Sequence, residues 1–255
     1  MLPNKYSLLG LFLIFSLFIS TGTAFAQFEG QITMDVYSED DGKIEVSQIN
    51  LFATPDRIML KGEENFSVMD QMSTDGLLIR NDMKDFVIMT GKDQALQVTK
   101  VEIEGLVEML SSWGGNSAPE DQNMPKTEYT FSDRTQTILG FETAEMIVTD
   151  AENPEKHLSI WLAPDIDINW GMLAERWNNM PDNIDSEVNG VAQEVVFKGK
   201  NFPLLVEAVE GNERTTIMKV NNVNRSSVAK AMVEIPAGIS LMSFKDYVFK
   251  MMMER

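Results

Sequence analysis

The 255-residue chain contains no cysteine. Disulfide bonds and thiolate metal sites are therefore excluded, and so is a lipid anchor attached to a processed cysteine. A chain without covalent cross-links depends on an apolar core for its stability. The part that follows residue 26 is long enough to bury roughly 70% of its unfolded surface as one domain.

Histidine is almost as scarce, because His157 is the only one in the chain. Most histidine-based zinc sites are excluded, since structural sites need four Cys or His ligands and catalytic sites about three protein ligands. A Ser-His-acid triad finds no support, because the chain has no G-x-S-x-G turn to present the nucleophile. We therefore expect no metal, no cofactor and no enzymatic activity. An unrecognised hydrolase with paired carboxylates stays open as an alternative.

Basic residues are few, with 21 Lys and Arg against 39 Asp and Glu and a formal net charge of −18. Nucleic-acid binding is not expected, because it depends on clustered basic residues that release counterions from phosphates. No glycine-rich phosphate loop follows a strand, so nucleotide binding is unsupported. The acidity is typical of a protein kept in solution outside the cytoplasm, and a ligand-steering acidic surface is the alternative.

Long apolar runs are absent after the first 26 residues. Lys5 precedes an apolar run at residues 8–19, and Ala24-Phe25-Ala26 forms an A-x-A cleavage site. This order is typical of a secretory signal peptide, and the run is shorter than the roughly 20 residues of a spanning helix. We predict a cleaved signal peptide at residues 1–26. Residues 27–255 are then a soluble periplasmic or secreted chain without a transmembrane segment.

Oxygen ligands follow calcium-loop spacing at Asp165, Asp167 and Asn169. The pattern fails at its sixth position, where Trp170 replaces glycine, and at its twelfth, where Arg176 replaces glutamate. Helix capping explains Asp167 and Asn169 more simply. We predict no calcium site.

Apolar and polar residues alternate with a period of two along much of the chain, which indicates antiparallel strands. Residues 138–165 read as two strands joined by a turn. Their return strand places Leu158, Ile160 and Leu162 on a core face and Trp161 on the opposite face. An Asp-Gly pair at residues 41–42 predicts another hairpin. Further strands are predicted at residues 76–80, 85–90, 95–100, 191–197, 202–210, 215–220 and 223–233.

Three segments change to the spacing of a helical face. They are residues 101–113, residues 169–177 and a final helix capped by Ser243. Residues 114–126 are rich in glycine, proline and amide residues, and we interpret them as a flexible loop within a single domain at 27–255. Many strands with few helices predict the α+β class with a mainly antiparallel sheet.

Several short motifs follow one another along the chain after the predicted signal peptide: FEGQITM, RIMLKG with GLLIRNDMKDFVIM, ILGFETAEMIV with SIWLAPDI, and KNFPLLVE with VEIPAGI. Together they resemble an exported bacterial domain-of-unknown-function family over nearly all of residues 27–255. That family is similar in layout to the periplasmic lipoprotein carriers and receptors. The resemblance implies a strongly curved antiparallel half-barrel, covered by a few short helices, that binds or carries a lipid-like ligand. It assigns no role to individual residues.

Tryptophan and methionine supply the candidates for an apolar site. The chain has 18 methionines, whose flexible thioethers suit both cores and adaptable binding surfaces. We expect Trp113, Trp161, Trp170 and Trp177 to line a pocket between the sheet and its helices. The main alternative is an envelope protein that binds another protein and has a solid core.

Overall fold

A computed structural model describes residues 27–40, 43–68, 72–91, 93–105, 128–149, 155–175 and 192–253. The predicted signal peptide at 1–26 and the predicted loop at 114–126 lie outside these ranges and stay predictions. Within the described ranges, no helix has the length and apolar character needed to cross a membrane.

Twelve described strands form one sheet. They are β1 (Gly30–Asp40), β2 (Lys43–Ala53), β3 (Arg57–Val68), β4 (Met72–Arg80), β5 (Asp85–Met89), β6 (Gln94–Thr99), β7 (Glu128–Ile138), β8 (Phe141–Thr149), β9 (Lys156–Ala163), β10 (Phe202–Glu210), β11 (Glu213–Arg225) and β12 (Ser240–Ser243). Their order is β12-β6-β5-β4-β3-β2-β1-β11-β10-β9-β8-β7, and only β12 and β6 are parallel neighbours. Among the described strands the sheet is open, with β12 and β7 at its two edges. The predicted α+β class with a mainly antiparallel sheet is confirmed.

Helical elements are short throughout the described residues. Residues 100–105 are helical (α1), Gly171–Leu173 and Lys230–Val233 are 3-10 turns, Ala192–Lys198 is a π-helix and Phe244–Met253 is an α-helix (α2). The predicted cap of α2 is confirmed, because the Ser243 hydroxyl accepts a hydrogen bond from the Asp246 N–H at 3.1 Å. The predicted helix at 101–113 is confirmed only as far as residue 105.

Three predicted elements are wrong. The strand expected at 191–197 is the π-helix, in which the Gly199 and Asn201 N–H groups bond to carbonyls five residues back. The strand expected at 223–233 ends at Arg225, where β11 ends, and Lys230–Val233 turns instead. The helix expected at 169–177 is only one 3-10 turn, Gly171–Leu173, as far as residue 175, because the Gly171 and Met172 N–H groups bond to the Asn169 and Asn81 side chains. Residues 176–177 lie outside the described residues. Short apolar runs do not distinguish strands from helices by pattern alone.

The strand register assigns each side chain to one of two sheet faces, because directly paired residues share a face. Ile32 pairs with Leu51, which pairs with Leu60. We call this the strap face, because residues 164–175, the strap, cover one end of it. Its main buried cluster contains alternate residues of the strap and residues of eight strands, which in sheet order are β5, β4, β3, β2, β1, β11, β10 and β9. The strap contributes Ile166, Ile168, Trp170 and Met172 to that cluster.

Hydrogen bonds attach the strap to three separate places on the sheet. The Phe28 N–H, just before β1, donates to the Asp167 carbonyl at 2.7 Å. The Asn169 side chain donates to the Pro55 carbonyl at 2.6 Å in the β2–β3 turn. Asn81 in the β4–β5 turn donates to the Asn169 carbonyl at 2.9 Å and accepts from the Met172 N–H at 3.4 Å. The strap thus joins the β9 side of the sheet to the β4–β5 side.

The opposite face is covered only in part by described residues. Val228, Val233, Ile235 and Ile239, which follow β11, pack against Phe52, Met59, Leu78, Val87, Met89 and Ala95. Arg57 ties this segment to the β4–β5 turn, since its guanidinium lies 2.9 Å from the Asp82 carboxylate and 3.8 Å from that of Glu234. Strands β2 to β6 are therefore packed on both faces.

We expect Gly171→Ala to lower the free energy of unfolding by more than Gly211→Ala does. Both glycines have positive φ, +50° and +58°, so alanine strains either backbone position by about 1–2 kcal/mol. Only at Gly171 does an added Cβ overlap another group, the Asn81 amide, whose displacement breaks hydrogen bonds worth about 1 kcal/mol each. Urea denaturation measures both losses. Equal losses would show that the strap contact contributes nothing to stability.

Candidate functional site

A row of apolar side chains crosses the strap face on six neighbouring strands, which in sheet order are β1, β11, β10, β9, β8 and β7. The register pairs each member directly with the next. We call this row the stripe, and it consists of Val36, Met218, Val206, Ile160, Met146 and Phe131. With about 4.8 Å between neighbouring strands, its five steps give a length of about 24 Å.

The stripe is less buried than the row that lies next to it on the strap side. In that row Met34, Val220 and Leu162 are all buried. In the stripe only Met146 is buried, and Phe131 is 56% exposed. The other four members, Val36, Met218, Val206 and Ile160, are half-buried. The strap face is thus solidly packed near the strap and accessible farther from it.

Two exposed aromatic rings stand at the edge of the sheet, where the stripe ends. Tyr129 and Phe131 on β7 have ring centroids 6.3 Å apart in an edge-to-face arrangement. Tyr129 begins a second apolar row, in which it pairs with Val148, Val148 with Leu158 and Leu158 with Ala208. Contiguous apolar patches on a protein surface mark sites that bind another protein, a membrane or a ligand.

The π-helix and the strap form the base of this face. Val195 of the π-helix packs against Met146, Val148 and Leu162. The ring centroid of Trp170 in the strap lies 4.9 Å from that of Phe197 and 6.3 Å from that of Phe202. The rings of Trp170 and Phe202 are parallel to within 1°. Trp170, one of the four predicted lining residues, is therefore at the base of the strap face.

Trp161 lies on the opposite face, because it pairs directly with Glu145 and Leu205 rather than with the stripe. The face predicted for it from alternation is confirmed. It is only 3% exposed, and the Arg134 guanidinium lies 5.2 Å from its ring centroid. Its indole N–H has no acceptor among the described residues. Trp113 and Trp177 lie outside the described residues, and the lining role of all four tryptophans stays a prediction.

Beside Trp161 lies a buried carboxylate that sequence reasoning did not single out. Glu145 accepts hydrogen bonds from the Ser159 hydroxyl at 2.6 Å, the Ser132 hydroxyl at 2.7 Å and Arg134 at 2.9 Å. Ser132 and Arg134 belong to an irregularity in β7 between Phe131 and Thr135. The sequence offers no signal for this contact, because Glu145 occupies an ordinary polar position of an alternating strand.

The environment of Glu145 favours its charged form. Burial by itself raises the pKa of the carboxyl, but the hydrogen bonds from Ser159 and Ser132 and the charge of Arg134 outweigh it and hold the pKa below its usual value. A carboxylate with a lowered pKa and three donors is a poor general base. We therefore interpret this cluster as an attachment of β7 to β8 and β9.

The three residues at calcium-loop spacing, Asp165, Asp167 and Asn169, contact other parts of the protein. The Asp165 carbonyl accepts from Arg225, the Asp167 carboxylate pairs with Lys200 at 2.9 Å, and Asn169 belongs to the strap contacts. The Asn169 side chain also accepts from the Gly171 N–H at 3.1 Å, two residues on in the chain. Among the described ranges, no three Asp, Glu or His side chains are grouped to hold a metal ion.

The fold is similar to several solved structures at low sequence identity. PNGF-II in space group C2 matches with a TM-score of 0.45 and 10% identity over 89% of this chain, which spans only 33% of that protein. The MucA/MucB complex of Pseudomonas aeruginosa matches with a TM-score of 0.40 and 11% identity, covering 86% of this chain and 59% of that one.

A LolA superfamily protein of Nitrosomonas europaea matches with a TM-score of 0.30 and 7% identity, covering 82% of this chain and 91% of that one. No family model and no curated protein matches the sequence, so the resemblance to a domain-of-unknown-function family is not confirmed. With every one of these TM-scores below 0.5, the function has to be argued from the site itself.

We expect Glu145→Gln to lower the free energy of unfolding by about 1–3 kcal/mol at pH 7, because it weakens three hydrogen bonds to a buried group. The lowered pKa means that this stabilisation is present above the usual glutamate value of about 4.3 and is lost as pH falls through the folded-state pKa. Urea denaturation at pH 7 and near pH 3 measures this, with a smaller gap from wild type expected in acid.

The matched control is Glu142→Gln on the same strand, where an exposed glutamate accepts the Thr137 hydroxyl at 2.7 Å and has no other donor among the described residues. It should change stability little at either pH. A pH-independent gap for Glu145→Gln, or an equal loss in both variants, would contradict the assignment.

Proposed function

We propose that the protein is a non-enzymatic binding protein of the cell envelope that holds a lipid-like or other apolar ligand on a curved sheet. The stripe is the observation that carries this proposal. A buried core would cover all six of its side chains, whereas four of them are half-buried and Phe131 is exposed. Contiguous apolar surface of this kind marks a ligand or partner site in a folded protein.

The dimensions of the stripe suit an acyl chain. The hydrocarbon core of a bilayer is about 30 Å thick and contains two leaflets, so one chain spans about 15 Å. The stripe, at about 24 Å, is longer than that. One acyl chain therefore fits within the stripe, where it covers about three of the five strand steps.

The chemistry of the surrounding side chains also suits an apolar ligand. Met146 and Met218 within the stripe offer flexible thioethers that adapt to chains of different shape. Neither the stripe nor the row of Tyr129, Val148, Leu158 and Ala208 contains a charged side chain. Such a surface binds by excluding water.

In this proposal the strap is the closed end of the site and Trp170 stands at its base. Trp113 and Trp177 are proposed to complete the lining. Trp161 faces away from the stripe, so its contribution to the site is to support β9 from the opposite face. The sheet is proposed to curve around the stripe as a half-barrel.

A protein-binding role is the second candidate, and the exposed aromatic pair on β7 favours it. An edge strand has free backbone groups that can pair with an extended segment of another protein. Alternate side chains of such a segment would contact Tyr129 and Phe131. The irregularity after Phe131 restricts this pairing to a short stretch of β7.

We expect the purified protein to bind a fluorescent fatty-acid probe saturably, and Val206→Asp to weaken that binding at least tenfold. The substitution places a charge in the middle of the stripe, and each tenfold loss of affinity corresponds to about 1.4 kcal/mol. Met218→Gln is a milder second variant of nearly the same shape.

The control is Val46→Asp, since Val46 is 54% exposed and pairs with Tyr37 on the face opposite the stripe. It should leave probe binding unchanged. Thermal unfolding of all variants separates loss of binding from loss of fold. Absence of saturable binding by the wild type, or equal losses at Val206 and Val46, would reject the proposal and favour the protein-binding alternative.

A further inference from the structure

Helix α2 presents apolar side chains on two opposite sides. Phe244 and Tyr247 pack against the cluster of Ile88, Leu96 and Val98 on β5 and β6. Phe249 and Met253, by contrast, are 59% and 73% exposed. With 3.6 residues per turn, these two neighbours at i and i+4 lie on the side of α2 that faces away from Phe244.

A helix on the surface of a water-dissolved protein normally has one apolar side, and the rest of it is polar. α2 departs from this pattern, because seven of the ten residues in FKDYVFKMMM are apolar. Among the α2 side chains that the structure describes, Phe244 and Tyr247 pack on the sheet, whereas Phe249 and Met253 are exposed. The exposed side of α2 therefore has the composition of a surface that contacts a second apolar phase.

The charge of α2 indicates which phase that is. The helix contains Lys245 and Lys250 against one acidic residue, Asp246, in a chain whose acids outnumber its bases by 39 to 21. Lys245 is exposed next to Phe249. An anionic surface attracts α2 and repels most of the remaining chain, which orients the protein with this helix forward.

We propose that α2 is a membrane-contact helix that lies in the interface of a phospholipid bilayer, with Phe249 and Met253 among the acyl chains and Lys245 at the headgroups. An interfacial helix inserts its apolar side by about 5–10 Å. The ten residues of α2, about 15 Å long, suffice for one shallow contact. The contact is separate from the stripe along the sheet, because α2 packs on β5 and β6, and three strands, β4, β3 and β2, lie between β5 and β1, where the stripe begins.

The experiment is co-flotation of the purified chain of residues 27–255 with vesicles of phosphatidylcholine and phosphatidylglycerol in equal parts. We expect the wild type to float with the vesicles. The double variant Phe249→Asp/Met253→Asp should lower the bound fraction at least tenfold, because it removes the apolar side chains that insert. Phe249→Trp adds a direct readout, with a blue shift of the new indole emission expected on addition of vesicles.

The matched control is Ile44→Asp/Val46→Asp, which changes two side chains that are also exposed, at 69% and 54%, on the face of β2 opposite the stripe. It should float like the wild type. Lys245→Glu should weaken binding to the mixed vesicles more than to phosphatidylcholine alone.

Three results would overturn the proposal. The first is absence of wild-type flotation, and the second is an equal loss in the control variant. The third is a change of oligomeric state in light scattering for Phe249→Asp/Met253→Asp without any effect on vesicles, which would make this side of α2 an interface between two copies of the chain. Fatty-acid probe binding, measured in parallel, should be unchanged in all α2 variants, so the two proposals fail separately.

Discussion

The attachment of the strap to two turns of the sheet and to the segment before β1 is the interaction on which the rest of the structure depends. The chain has no cysteine, so hydrogen bonds and packing must hold the two halves of the sheet together. Asn81 and Asn169 join the strap to the β4–β5 and β2–β3 turns, and Trp170 packs against Phe197 and Phe202. Because the strap covers one end of its face, the core is complete there and the far end is left accessible.

The sheet register is the second constraint, and it separates two kinds of surface. A shift of one residue moves every side chain of a strand to the other face. In the observed register Ile160 belongs to the stripe, whereas Trp161 and its partner Glu145 face the other way. The apolar row and the buried carboxylate therefore lie back to back on the same strands, and each depends on the same pairing.

Much of the fold could be predicted because each strand carries its own alternation. Leu158, Ile160 and Leu162 were expected on one face and Trp161 on the other, and the register confirms this. The π-helix and β12 could not be predicted. A short apolar run does not distinguish strand from helix, and β12 has only four residues and pairs with β6, far away in the chain. The carboxylate of Glu145 was missed because its donors come from two other strands.

The sequence by itself determined that no disulfide stabilises the protein and that alternating strands build its core. Only the tertiary structure decided that Val36, Met218, Val206, Ile160, Met146 and Phe131 form one row. It also decided that Trp161 and Trp170 lie on different faces. Alternation specifies a face only within a single strand, whereas the alignment of strands depends on pairing between residues distant in the chain.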